Sequence, residues 1–286
     1  MICFRLLESD DPATPLAEAV ATLRRGEDAE SVYAVNPKSF RQVPNAPFAY
    51  WAASALIRAY VQHPQLEGSD KVAKRGVNTN DDWRFLRTHW EVAHQTWVNH
   101  FKGGALARFY SSPTVVLQWG KNELMAERVT TKKYKHAIIP SEDLYFRPGL
   151  TWSRRTPSAL SVRLMPRNCI FGDKGPAFIT SDDCEHDLIA FAAIFNSDIY
   201  ANLIALQLAA ADAAARSYEV GLLQKSPIPS VRRDIKRNLA PLAKSAWSLK
   251  RHLDTTNSNS HAFYAPALTP GQCTAPRLAA KPGGTR

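Results

Sequence analysis

The run from Leu188 to Ala211, LIAFAAIFNSDIYANLIALQLAAA, constrains this chain more than any other stretch. It is the most apolar segment, and Asn196, Ser197 and Asp198 interrupt it near its middle. A membrane span would bury the Asp198 charge at high cost. The pattern instead predicts a helix from Glu185, a break at Asn196-Ser197, and a second helix to about Ala214. Such helices are apolar almost all round and need a core to enter. A sheet to supply that core is expected just upstream. Leu160, Val162 and Leu164 alternate with Ser161 and Arg163, as in a strand with one buried face. Val115–Trp119, Cys169–Phe171 and Ala177–Thr180 are further strand candidates.

The predicted fold class is therefore α+β. A mainly β core at about 98–180 is flanked by helices and followed by a C-terminal helical segment. Toward the N-terminus, Ile2–Leu7 reads as a strand and 13–25 as a helix. Asp28–Phe40 reads as a loop with one short extended piece. Asn45 is expected to cap a helix from about Pro47 to His63, burying Phe48, Trp51, Ala52, Ala55 and Leu56. Lys121–Lys135 is polar and predicts one short helix. Beyond a proline-marked connector at Ser226–Pro229, Ile235, Leu239, Leu242, Ala246, Leu249 and Leu253 recur at alternating spacings of four and three. That predicts an amphipathic helix over 231–253, kinked or divided at Pro241. The composition beyond about Thr269 predicts a disordered tail.

The chain has 286 residues, 45% hydrophobic and 22% charged, enough for one large or two modest domains with a real core. Its formal net charge is +10 and its pI about 9.5. The charge is unevenly placed. Residues 1–97 carry −1, 98–180 carry +8, 181–224 carry −6 and 225–286 carry +9. Two basic segments around an acidic one suit a polyanionic partner better than a uniformly solvated surface. The four cysteines are scattered with no C-x-x-C pair, so neither a zinc ribbon nor a redox pair is indicated. Free thiols and an N-terminus without a basic-then-apolar pattern predict a reducing, cytoplasmic setting.

Catalytic signatures are missing from these residues. There is no G-x-G, no G-x-x-x-x-G-K-[ST], no G-x-S-x-G and no H-E-x-x-H. Nineteen prolines include no adjacent pair, so the polar-Pro-Pro-aromatic turn of amino-group methyltransferases is absent as well. Cys184-Glu185-His186 reads as a helix start rather than a nucleophile with its base. No cofactor or metal site is expected on this chain.

Recognition elements are more evident. Tyr145–Phe178 holds five arginines and a lysine among aromatics. In Lys102-Gly103-Gly104, followed by Arg108-Phe109-Tyr110, paired glycines allow close backbone approach, and the flanking side chains suit phosphate gripping or base stacking. A tight turn into an aromatic core explains the same residues equally well. Trp152-Ser153-Arg154-Arg155 places two arginines where they could hold phosphate bidentately. The basic excess there leaves few carboxylates to neutralise them. Gly172–Pro176, with Lys174, is a third glycine-bounded loop that a β-turn also explains. Asn78–Asp82 followed by Arg84 reads as a structural helix-capping loop.

Together these pieces resemble the C-terminal half of large adenine-specific DNA methyltransferases, the type IIG restriction–modification enzymes and the related phage-exclusion (BREX) methyltransferases. The matching stretches are PNAPFAYW (44–51), RGVNTNDDWRFLRTHWEV (75–92), FKGGALARFY (101–110), YFRPGLTWSRR (145–155), IFGDKGPAF (170–178), LIAFAAIFNSDIYANLIALQL (188–208), EVGLLQKSPIP (219–229) and AWSLKRHLDTTNSNSHAF (246–263). The resemblance covers residues 40 to 265. It implies an N-terminal remnant or connector at 1–44, a target-recognition-like domain at 45–230 and a C-terminal amphipathic helical segment at 231–268. It implies double-stranded DNA as partner, with Lys102, Gly103, Gly104, Arg108, Tyr110, Trp152, Arg154, Arg155 and Lys174 at the contact. S-adenosylmethionine and a catalytic domain are implied for the complete enzyme, so the chain is expected to be either a genomic fragment or one subunit of a split enzyme that pairs with a separate methyltransferase catalytic subunit. The alternative is a protein-interaction subunit of a defence complex with no DNA affinity of its own. A nuclease is the least expected reading, because the β segment is poor in carboxylates.

Overall fold

The computed structural model describes residues 1–7, 9–93, 96–119, 139–208 and 216–267. The fold is α+β. Strand β1 (Ile2–Phe4), helix α1 (Ala13–Arg24) and strand β2 (Val32–Ala34) open the chain, β1 and β2 forming an antiparallel pair. Helix α2 (Ser54–Gln62), strand β3 (Lys71–Lys74), the single-turn helix α3 (Asp82–Phe85) and strand β4 (Leu86–Thr88) follow. The central region holds β5 (Trp97–Phe101), β6 (Val115–Gln118), β7 (Gly149–Trp152), β8 (Arg155–Thr156), β9 (Val162–Met165), β10 (Cys169–Phe171) and β11 (Ala177–Thr180). Helices α4 (Glu185–Phe195) and α5 (Asp198–Leu208), strand β12 (Arg216–Ser217), and helices α6 (Val220–Gln224) and α7 (Arg233–Leu253) complete the described chain.

Two four-stranded sheets form the centre, in the orders β10-β5-β6-β4 and β3-β11-β7-β9. Only the β10–β5 pair in them is parallel. The second sheet is covered on both faces. Leu150, Trp152, Val162 and Phe178 meet Leu188, Phe191, Phe195 and Tyr200 of the helix pair on one side. Met165, Ala177 and Ile179 meet Phe101, Leu117, Ile170 and Phe171 of the first sheet on the other. Strand β9 is therefore buried on both faces rather than one, and Arg163 is fully enclosed. The reason is topological, since a second sheet occupies the face that alternation had assigned to solvent.

The break at Asn196-Ser197 falls as predicted. The Asn196 side chain accepts from Val162 N at 2.9 Å and donates to Val162 O at 2.8 Å, pinning the turn to β9. No single helix among the described residues is long and apolar enough to cross a membrane. Helices α4 and α5 would suffice only as a pair, bent by 64°. Most of their large apolar side chains are buried in the core.

The helix predicted over 47–63 begins only at Ser54. Asn45 and Ala46 have φ of 66° and 46°, and Asn45 accepts a hydrogen bond from Lys225 Nζ instead of capping a helix. The intervening aromatics are drawn to the N-terminal strand pair. Tyr50 donates to Phe4 O at 3.1 Å and stands edge-on to Tyr33, while Phe48 packs on Phe40 and Tyr50. Phe48 itself stays 55% exposed. Helix α7 runs through Pro241 undivided. Pro241 lies on the exposed side, so the carbonyl it leaves unbonded, that of exposed Arg237, faces water. Lys121–Lys135 and the tail beyond Thr269 lie outside the described residues.

Candidate nucleic-acid interface

Three loops converge at one corner of the two sheets. The first leaves β5 at Lys102-Gly103-Gly104, the second joins β10 to β11 through Gly172–Pro176, and the third follows β7 at Ser153-Arg154. Gly103 and Gly104 have φ of +96° and +130°. A Cβ on Gly103 would lie 2.7 Å from Lys174 O, and one on Gly175 would lie 2.5 Å from Gly103 N and 2.6 Å from Phe101 O. The glycines thus let two loops stack backbone to backbone, so the close approach at Gly103 is to the neighbouring loop. Gly104 is open, with nothing near the space its Cβ would fill, and its carbonyl accepts from Ser153 Oγ at 2.7 Å. Arg154 N donates to Lys174 O at 3.0 Å, tying the third loop to the second.

Cations crowd this corner. Arg154 Nη1 donates to Asp173 Oδ1 at 2.7 Å, and its Nε lies 3.7 Å from Glu219. Arg75 approaches the same Asp173 oxygen at 3.9 Å from the segment after β3. Lys102 bridges to Asp82, which also accepts from Thr79 Oγ1 at 2.7 Å. Partial desolvation opposes the Asp82 charge, but the hydrogen bonds from Lys102 and Thr79 and the fields of Lys102 and Lys174 outweigh it, so its pKa lies below the usual value. The Lys174 side chain is exposed. Four cations from four separate stretches therefore face three carboxylates, Asp82, Asp173 and Glu219. Next to them Trp83 stands 92% exposed, with Arg87 hydrogen-bonded to its carbonyl. Asp82, Trp83, Arg87 and Lys102 line one open groove.

Not all the predicted contacts gather here. Trp152 is a correction. It has no exposure, its Nε1 donates to Tyr218 O at 2.9 Å, and its ring belongs to the core between sheet and helices. Strand alternation on a sheet covered on both faces leaves it no route to a surface. The reasoning for Arg154 is also corrected, since it does find carboxylates, Asp173 and Glu219, brought from outside its own segment. Arg155 is exposed and pairs through its backbone with Ser217. Arg108 and Tyr110 flank Phe109, whose backbone bonds to β9 at Val162 and Leu164. Tyr110 meets Trp247 edge-on at 5.7 Å in a different cleft of about 300 Å³, lined also by Leu164, Met165, Leu188 and Ile189.

Sequence reasoning missed Trp83 and Arg75. It read 78–84 as structural, which Asp81 bears out by capping α3 through Arg84 N. A four-residue helix is too short to show periodicity, so nothing local marked Trp83 as outward.

Nucleophilic chemistry finds little support in the described residues. Burial pushes the Cys169 thiol up to about 12, and Cys184 sits at the N-cap of α4. Asp182, Cys184 and Asp187 bring ligand atoms within 4.8 Å of one another, but Lys236 already bridges to Asp187.

No protein-family model matches the chain. It is 27% identical over 224 residues to adenine-specific methyltransferase BrxX of Escherichia coli O9:H4 (strain HS), an alignment covering 74% of this chain and 17% of that protein. It is 26% identical over 275 residues to adenine-specific methyltransferase PglX of Lacticaseibacillus casei (strain Zhang), covering 85% and 22%. The chain thus spans about a fifth of the length of the curated relatives it matches.

Proposed function

We propose that this chain is a DNA-binding target-recognition part of a site-specific N6-adenine methyltransferase of a phage-defence or restriction–modification system. It would hold double-stranded DNA while a catalytic part, on another chain or another stretch of polypeptide, binds S-adenosylmethionine and methylates the extruded adenine. The observation that carries the reading is the corner where Arg75, Lys102, Arg154 and Lys174 meet beside exposed Trp83. Cations on a rigid β frame suit a phosphate backbone, and an exposed indole next to them suits stacking or groove contact. Similarity to two adenine-specific methyltransferases supports the choice of enzyme class.

The roles divide by their surroundings. Lys174, Arg75 and Arg155 are exposed and reach phosphate without giving up an internal bond of ideal length. Lys102 exchanges Asp82 for phosphate. Arg154 positions the loops through Asp173, and Gly103, Gly104 and Gly175 set their spacing. Tyr110 lines the other cleft and contributes separately, and Arg108 precedes the Phe109 bridge to β9.

Fluorescence anisotropy of the purified chain with a labelled random-sequence duplex, across a salt series, tests this. The wild-type chain should show a steep log–log slope. Arg75→Ala/Lys102→Ala/Lys174→Ala should flatten it by roughly 0.9 for each phosphate no longer neutralised, and weaken binding by about tenfold or more near 0.1 M salt. A folded triple variant with unchanged affinity and slope would sink the assignment of DNA to this corner.

A further inference from the structure

Arg163 is a buried cation without a counter-charge. It has no exposure, and no carboxylate pairs with it among the described residues. Its Nε and Nη1 have no hydrogen-bond partner among them either. The residue opposite it on β7 is Thr151, which carries no charge. An enclosed guanidinium of this kind costs stability unless something offsets its charge.

Its side-chain hydrogen bond leads toward the surface. Nη2 donates to Ser153 Oγ at 3.3 Å, and that hydroxyl donates in turn to Gly104 O at 2.7 Å. Ser153 is buried, whereas Gly104 and Ala105 are exposed. The peptide between Gly104 and Ala105 is trans, so its N–H points opposite to the carbonyl that Ser153 holds. Neither this Ala105 N–H nor the Gly104 N–H before it donates to any group among the described residues. Hydrogen bonds in series polarise one another, so the charge of Arg163 makes the outward N–H a stronger donor. Gly104 has φ of +130° and open space where a Cβ would sit, which leaves room for a ligand atom against the backbone. Successive backbone N–H groups at such a turn suit an oxyanion. Lys102 and Arg154 flank the two ends of the relay in sequence and add their field to it.

We infer that the Gly104–Ala105 peptide is a binding group for a phosphate oxygen, polarised from inside the core by Arg163 through Ser153. Arg163 never touches the ligand and acts as a positioning residue. The ligand chemistry is an oxyanion of phosphate, and taking it from a DNA phosphodiester rests on the proposed DNA reading of this corner. A free phosphate ion offers the same oxygens.

The full chain, labelled with nitrogen-15, is titrated with a random-sequence duplex and separately with inorganic phosphate, and the Ala105 amide is followed by NMR. The duplex should move that amide proton downfield. Arg163→Met and Arg163→Lys then place side chains of similar length in the core, one neutral and one charged. The Met variant should have the higher Tm, because it buries no charge. It should nevertheless bind duplex about fivefold more weakly than the Lys variant and lose most of the Ala105 shift. An arginine that only supports the fold predicts the opposite, with affinity following Tm. Should Arg163→Met not fold, Ser153→Ala keeps the cation and cuts the relay, and the same losses are expected against the wild type. A shift with inorganic phosphate but no binding of duplex would uphold the oxyanion site and refute DNA as its ligand. Duplex binding that leaves the Ala105 amide unmoved would overturn the inference and leave the DNA reading standing. So would a folded Arg163→Met with wild-type affinity and shift.

Discussion

Arg163 and His100 show how much a single residue's environment departs from its sequence context. Arg163 sits on the inter-sheet face of β9 with no exposure, donating through Nη2 to Ser153 Oγ at 3.3 Å. Burial lowers its pKa to about 10, so it keeps its charge at neutral pH. It props the loop whose Ser153 holds Gly104, so this arginine of the basic stretch works from within the core. His100 lies at the end of β5, 3% exposed and packed against Gly172. Burial pulls its pKa down to about 4, against a smaller opposing effect of its hydrogen bond to the Ile170 backbone. In the unfolded chain it titrates near 6.5, so between pH 6.5 and 4 the unfolded state takes a proton that the folded state refuses. Stability from this group is complete above pH 6.5, falls through that window, and levels off below pH 4, by on the order of 3 kcal/mol. Urea midpoints at pH 7 and pH 4.5 should separate in the wild type and draw together in His100→Gln. An equal separation in both would show that other groups carry the acid sensitivity.

At the scale of elements, the stacked glycine loops are the device on which the cationic corner depends. Gly175 has backbone atoms of Gly103 and Phe101 within 2.6 Å of where a Cβ would sit, and neither strand end is free to retreat. Gly175→Ala should cost about 1–3 kcal/mol and displace Lys102 from Lys174. The check is a lowered Tm together with weakened DNA binding. A substitution with wild-type Tm would mean that the loops yield easily and do not hold the cations in place. Several elements were legible beforehand because their signals are local. The alternation of β9, the apolar runs of β10 and β11, and the polar break between α4 and α5 all follow from short-range periodicity. The start of helix α2 was misjudged because Phe48, Trp51, Ala52, Ala55 and Leu56 have a helical rhythm, yet Tyr50 packs on β1 and β2 and takes Phe48 and Trp51 against its ring.

For the whole molecule, the segregation of charge along the chain becomes segregation in space. The basic β region carries the corner, and the basic C-terminal helix sits apart from it, against α4. Lys236 of α7 bridges to Asp187 in the first turn of α4, so part of the acidic segment serves to seat the helix. On the proposed reading, a chain without the glycine-rich loop and Pro-Pro turn should bind DNA but transfer nothing. Incubation with labelled S-adenosylmethionine and duplex DNA should leave no N6-methyladenine. Methylation by the pure chain would mean that these residues hold a catalytic site of another kind.

By itself, the sequence determined where strands β1, β6, β9, β10 and β11 and helices α1, α4, α5 and α7 lie, and where along the chain the positive charge falls. Periodicity, chain-breaking residues and formal charge are properties of neighbours and can be read in order. Tertiary structure alone decided what each residue faces. It buried Trp152 and Arg163 by laying sheet and helices over both faces of β7 and β9. It brought Arg75, Lys102, Arg154 and Lys174 together from positions up to about a hundred residues apart, and turned Leu242, Leu249 and Leu253 of α7 outward by seating its alanines on α4. These outcomes depend on which surface covers which, and that is set by packing between distant segments and not by any local pattern.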